Sequence, residues 1–273
     1  MSLIQSASEH LESASRVIVV IGANGSGKTA FSISASIHAG ELISGEKRRC
    51  TDTLVICGDN EGSMGAMDAG LEPGGIVDLS DCETWPEYKK ALVPALVEIK
   101  YLVDSDVLKF IIFDLGLPAS LIVNHVSPQS IADWGQVAKE GATLRQAFQK
   151  LKGATVIVNA HIKSAVAAIE TDVAKAASEA RASGGERSTF TIDAPGSISK
   201  PWCANASFIF AREVKRKADP MKRNEPPKRV FYTHTSASSR FDVKSRAHTV
   251  LKATEPGERS LNSMLQAVYK KNA

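Results

Sequence analysis

Arg16-Val-Ile-Val-Val-Ile-Gly-Ala-Asn-Gly-Ser-Gly-Lys-Thr29 is the stretch that decides how this chain folds. Val17 to Ile21 form an unbroken apolar run without alternation, the pattern of a strand buried on both faces in a parallel sheet. The run ends in Gly22-Ala-Asn-Gly-Ser-Gly-Lys-Thr29, a complete GxxxxGK[ST]. Glycines in such a turn let the backbone wrap close to phosphates with N–H groups pointing inward, and a following helix N-terminus adds positive potential. The spacing predicts a helix from near Lys28 and a phosphate cradle formed by Gly22, Ala23, Asn24, Gly25, Ser26, Gly27, Lys28 and Thr29. Lys28 is expected to reach the β- and γ-phosphates of ATP, and the Thr29 hydroxyl to ligate Mg2+.

Outward from this turn the same apolar pattern recurs in Thr53–Cys57, Lys109–Phe113 and Ala154–Val158, each separated by enough chain for a crossover helix. Pro86 to Lys100 and Val137 to Leu151 carry apolar residues at helical spacing and are expected to cover the sheet. Ala206–Arg212 and Arg229–His234 read as two strands of a hairpin with a proline-containing excursion between them. Leu261, Met264, Leu265 and Val268 share the face of a closing helix. Strands alternating with helices predict an α/β fold with a mainly parallel central sheet and a C-terminal β-hairpin.

The chain of 273 residues, 43% hydrophobic and 23% charged, suits one globular domain over 1–273, opened by a short amphipathic helix in 1–15. That opening lacks the continuous apolar core of a signal peptide, and no stretch approaches the roughly 20 apolar residues of a membrane span. A cytoplasmic protein without membrane contact is expected. Cys50, Cys57, Cys82 and Cys203 form no CxxC pair, which argues for reduced thiols and against a zinc knuckle. The net charge of +3 by itself points to no polyanionic partner.

Three more groups fall at strand ends. In Lys109-Phe-Ile-Ile-Phe-Asp114 an apolar strand delivers Asp114 to the sheet edge where ligands bind, a place from which it would hold Mg2+. Asp59 and Glu61 follow the neighbouring strand, and either would orient or deprotonate an attacking water. Thr155-Val-Ile-Val-Asn-Ala-His161 ends a third strand, with His161 as a hydrogen-bonding residue or a contact to the γ-phosphate.

Together the P-loop, an Asp-x-Glu-Gly after the next strand, the strand-terminal Asp114 and the Val-Asn-Ala-His strand end resemble, in kind and order, the RecA-core ATPases. The chain looks most like their compact phage-encoded branch of single-strand annealing and recombination proteins, with Trp134-Gly135 opening a helix as in that branch. The resemblance covers roughly Arg16 to Thr249. It implies a RecA-like P-loop NTPase with Glu61 as the water-activating glutamate and His161 where RecA carries a phosphate-sensing glutamine. Lys244-Ser-Arg246 resembles the Lys-x-Arg that ring-shaped relatives insert into a neighbour's ATP site, where such cations stabilise transition-state charge; read from residues alone it is a basic turn. A homo-oligomer, ring or filament, is implied, located in the bacterial host cytoplasm for a phage protein. Two departures stand out: Leu115 follows the aspartate where relatives commonly carry a hydroxyl residue, and His161 replaces glutamine.

Single-stranded DNA is the implied partner. The family grips DNA with loops that correspond here to Leu117–Asp133 and to 164–200, the latter expected to be mobile. The excursion 212–229 gathers Lys215, Arg216, Lys217, Lys222, Arg223 and Lys228 against Glu213, Asp219 and Glu225, a field suited to phosphates without aromatics for base stacking. The expected function is a Mg-ATP-dependent, single-stranded-DNA-binding ATPase. A ring-forming helicase or motor, a small-molecule kinase and a nucleotide-gated interaction protein are the alternatives.

Overall fold

A computed structural model describes residues 16–36, 48–58, 67, 70–164, 190–215, 228–232, 244–245, 254–256 and 260–270. Glu61, Asp59, Arg246, the 1–15 helix, residues 165–189 of the expected DNA loop and 216–227 of the basic excursion lie outside these.

Six parallel strands form the centre of one sheet, in the order β7 (Phe208–Lys215), β1 (Arg16–Gly22), β5 (Thr155–Ser164), β4 (Phe110–Asp114), β2 (Arg48–Cys57) and β3 (Leu71–Asp78). Beyond β7 the sheet continues with antiparallel β8 (Lys228–Tyr232) and β10 (Thr254–Pro256), so the expected hairpin is present. A two-residue strand, β9 (Lys244–Ser245), pairs with the start of β7, and β6 (Phe190–Ile192) pairs antiparallel with the far end of β5.

Every inner strand is apolar on both faces because helices cover both. On one face Val17, Val19 and Ile21 of β1 join Ile111 and Phe113 of β4 and Val156 and Val158 of β5 in a core with α2 (Trp85–Asp104), α3 (Gly116–Val126), α4 (Ile131–Gln149) and α5 (Gly196–Asn205). On the other, Ile18 and Val20 pack with Phe31 and Ile33 of α1 (Lys28–Ile33) and with Leu261, Met264 and Leu265 of α6 (Leu261–Lys270). A buried hydrogen bond from Leu261 N–H to Ser34 Oγ, 2.9 Å, ties α6 to the short 3-10 helix Ser34–Ser36 that extends α1.

The crossovers follow one rule of hand. The steps β3 to β4, β4 to β5 and β5 to β7 all move toward β7 and run over the face of α2 to α5. The step from β1 to β2 moves the other way and begins with α1 on the opposite face. A parallel sheet with a single crossover hand requires this reversal. The chain therefore leaves β1 and its neighbour β5 toward opposite faces, which opens a crevice between their carboxyl ends, the usual seat of a ligand in such sheets.

Three segments differ from expectation. Leu117–Asp133, expected as a loop, is mostly helix α3, a short turn and the start of α4. Pro118 lies in the first turn of α3, where its missing N–H costs nothing, and Ser130 with Asp133 forms a capping box that starts α4 ahead of Trp134. The described end of 164–200 is strand β6 followed by α5, fastened because Ile198 and Trp202 are buried against the sheet and α4. Leu71–Asp78, to which no element was assigned from the sequence, is a strand that carries Pro73-Gly74-Gly75: among the described strands β3 is the sheet edge, where proline is tolerated. Gly74 faces an irregularity in β2, where an added Cβ would stand 2.2 Å from the Thr51 carbonyl oxygen.

Candidate active site

Strand register assembles the predicted residues. Gly22 pairs with His161 on one side and Arg212 on the other, and Asp114 pairs with Asn159. All of these lie at the carboxyl edge of the sheet. Because β5 separates β1 from β4, the turn after Gly22 and Asp114 are two strand spacings apart, about 10 Å.

The turn has the backbone that a phosphate cradle needs. Gly25 and Gly27 adopt left-handed conformations, φ 68° and 82°, and Gly27 is the N-cap of α1 with no side chain capping it. Gly22 admits no side chain, since a Cβ there would lie 2.6 Å from Ser26 Oγ and 2.7 Å from the Arg212 carbonyl oxygen. Ala23, Asn24 and Gly25 are exposed at the crown, whereas the Ser26 hydroxyl is buried without a hydrogen-bond partner. An unmet hydroxyl packed against Gly22 within the turn can donate to an anionic oxygen.

Lys28 is only 6% exposed. Its Nζ donates to the carbonyls of Gly22, 3.2 Å, and Ala23, 3.1 Å, and lies 3.1 Å from His161 Nδ1. An ammonium has only donors, so His161 Nδ1 accepts and the imidazole proton sits on Nε2. Gly116 lies between His161 and Asp114: a Cβ there would stand 3.6 Å from His161 Cδ2 and 3.1 Å from Asp114 Oδ1, which accepts the Gly116 N–H at 2.8 Å. Burial first, and then the charge of Asp114, raises the Tyr88 phenol above its ordinary range.

Thr29 is half-buried in the first turn of α1, which packs on β4 and β5. Among the described residues no group of three or more His, Cys, Asp or Glu converges.

Two residues of the site escaped the sequence reading as site residues. Arg212, expected at the head of the exposed basic excursion, is 2% exposed. It follows the apolar run Phe208–Ala211 of β7 beside β1, and the pairing of Arg212 with Gly22 buries it behind the turn. There Nη1 donates to the Gly27 carbonyl at 2.8 Å and the guanidinium lies 5.7 Å from the centre of the Phe31 ring. Asn159 is 2% exposed, accepts from Ser32 Oγ at 2.7 Å through Oδ1, and receives Leu115 N–H at its carbonyl, 2.9 Å. It thus ties α1 and the residue after Asp114 to one strand. Its signal was a lone polar residue within the apolar run of β5.

Lys244 stands apart from this cluster. Its backbone pairs with Ile209, which is level with Val19 in the middle of β1. Cys50 and Cys57 are buried, and Cys82 and Cys203 half-buried. Among the described residues no helix is long and apolar enough to cross a membrane. No family model matches this chain, and no curated protein matches it in sequence.

Proposed function

We propose that this chain is a RecA-like P-loop ATPase that binds Mg-ATP in the Gly22–Thr29 turn and works on single-stranded DNA. The seat of Lys28 carries the reading: its ammonium is buried between two carbonyls of the turn and His161, one contact away from the strand that ends in Asp114. A lysine placed only to stabilise a turn has no need of a neighbouring strand's histidine.

In this reading Lys28 exchanges the Gly22 and Ala23 carbonyls for oxygens of the β- and γ-phosphates, and the amides of the turn with the Ser26 hydroxyl take the rest. Thr29 and Asp114 hold Mg2+, which neutralises charge as the terminal phosphoryl group transfers. Glu61 takes a proton from the attacking water, and His161, released from Lys28, registers the γ-phosphate. The DNA part of the proposal rests on the family resemblance and on the basic residues from Lys215 to Lys228; Arg212 is removed from that set by its burial.

The test is ATP hydrolysis with and without single-stranded DNA at low salt, for wild type, Lys28→Ala and Glu61→Gln. Loss of turnover in both variants, with DNA stimulation of the wild type, is expected. Retention of nucleotide binding by Lys28→Ala overturns the cradle. Indifference to DNA leaves an ATPase but removes the recombination reading.

A further inference from the structure

Helix α2 turns Trp85, Tyr88, Leu92, Ile99 and Val103 into the core. Its opposite side carries a second apolar line: Val93 is 60%, Val97 68% and Tyr101 71% exposed. Single exposed apolar side chains are ordinary, but three at spacing i, i+4, i+8 form a continuous ridge over two turns. Lys90 precedes Val93 by three residues and Asp104 follows Tyr101 by three, and both are exposed. The stripe Lys90, Val93, Val97, Tyr101, Asp104 is thus symmetric in spacing about Val97 and opposite in charge at its two ends.

A ridge of this kind is complementary to itself. Laid antiparallel on a second copy with Val97 on the two-fold axis, Lys90 of each copy faces Asp104 of the other, and Tyr101 of each covers Val93. Self-complementarity of one patch is the requirement of an isologous two-fold interface. A different partner would need neither the equal spacing nor the exchange of charge. Asp104 already receives Lys100 of its own helix at 2.5 Å, and a carboxylate has room to accept a second cation. The stripe runs about 21 Å along the helix.

We propose that the outer face of α2 is a homodimer interface, formed by antiparallel packing of two copies about Val97. The test is sedimentation velocity of the full chain over a concentration series. Wild type is expected to dimerise reversibly, and V97D to raise the dimer dissociation constant by at least about tenfold, the effect of a charge at the centre of an interface. K90D and D104K are each expected to weaken the dimer, by about three- to tenfold, because each sets like charges against one another. The double variant K90D/D104K restores it. V97C, placed on the axis, is expected to give a disulfide-linked dimer under mild oxidation. Circular dichroism checks that each surface variant keeps its fold. A wild type that stays monomeric at its highest soluble concentration overturns the proposal, as does an assembly unmoved by V97D. Failure of the paired charge reversals to compensate overturns it equally.

Discussion

Arg212 Nη1 holds the carbonyl oxygen of Gly27 at 2.8 Å, joining residues 185 positions apart so that β7 braces the turn that β1 presents. The same oxygen accepts the Phe31 N–H at 3.1 Å in the first turn of α1, so the guanidinium is a second donor on a carbonyl that the helix already engages.

Arg212→Met, of similar length without donors, is expected to lower stability by about 1–3 kcal/mol, from the lost charge-assisted bond; the Gly27 carbonyl keeps the Phe31 N–H, 3.1 Å. Arg212→Lys should recover little, because a point charge lacks the planar fork. Urea denaturation measures both. Nucleotide affinity, followed with a fluorescent ATP analogue, should fall at least tenfold (~1.4 kcal/mol) in Arg212→Met.

Gly25 and Gly27 separate backbone strain from crowding. A Cβ at Gly25 meets nothing within 4 Å, so Gly25→Ala should cost only the left-handed conformation, about 1–2 kcal/mol. At Gly27 the Cβ would also press the Arg212 guanidinium at 3.3 Å, and the loss should exceed that of Gly25→Ala by about 1 kcal/mol or more. Equal losses in urea titrations would contradict the brace.

Much of this arrangement was legible beforehand, and the exceptions have physical causes. Continuous apolar runs announced β1, β4 and β5, and the glycine spacing announced the turn and α1. The charge of Arg212 suggested surface, because only the pairing of β7 with β1 buries it. β3 was not foreseen, because Pro73 and Gly74 interrupt its apolar pattern, and an edge position and a local irregularity in the partner strand are tertiary facts. α3 was read as a loop by analogy, although Leu121 and Ile122 supply it with a buried side.

Glu140 links α4 to α2, accepting from Trp85 Nε1 at 2.8 Å and from Lys89 Nζ at 3.2 Å. Burial works against its ionisation, but these hydrogen bonds and the Lys89 charge outweigh it and hold the carboxyl below its usual value of 4.5. A depressed folded value means stabilisation present above pH 4.5 and lost as pH falls through the folded value. Glu140→Gln should therefore be less stable than wild type by about 1 kcal/mol at pH 7, and the gap should close in acid. Chemical denaturation at a series of pH values reads this.

Phe113, Phe148 and Trp202 meet beneath β4, with Phe113 and Phe148 centroids 4.4 Å apart and Trp202 within 6.1 Å of both. Phe148→Ala should cost about 3–5 kcal/mol in urea denaturation. A small loss would mean that α5 does not seal this cluster.

The place of β5 limits how any event at its end can travel. Bonded along one flank to β1 and along the other to β4, it cannot shift lengthwise without breaking two ladders. A slip of one residue would exchange Val156 and Val158 with Ile157 between the two cores. Its body is in effect clamped. The exit lies where the clamp stops, at the His161 carbonyl, which accepts the Asp193 amide at 2.7 Å. Beyond His161, among the described residues, β5 is paired with β6 alone, so its last residues are held by one ladder where its body is held by two.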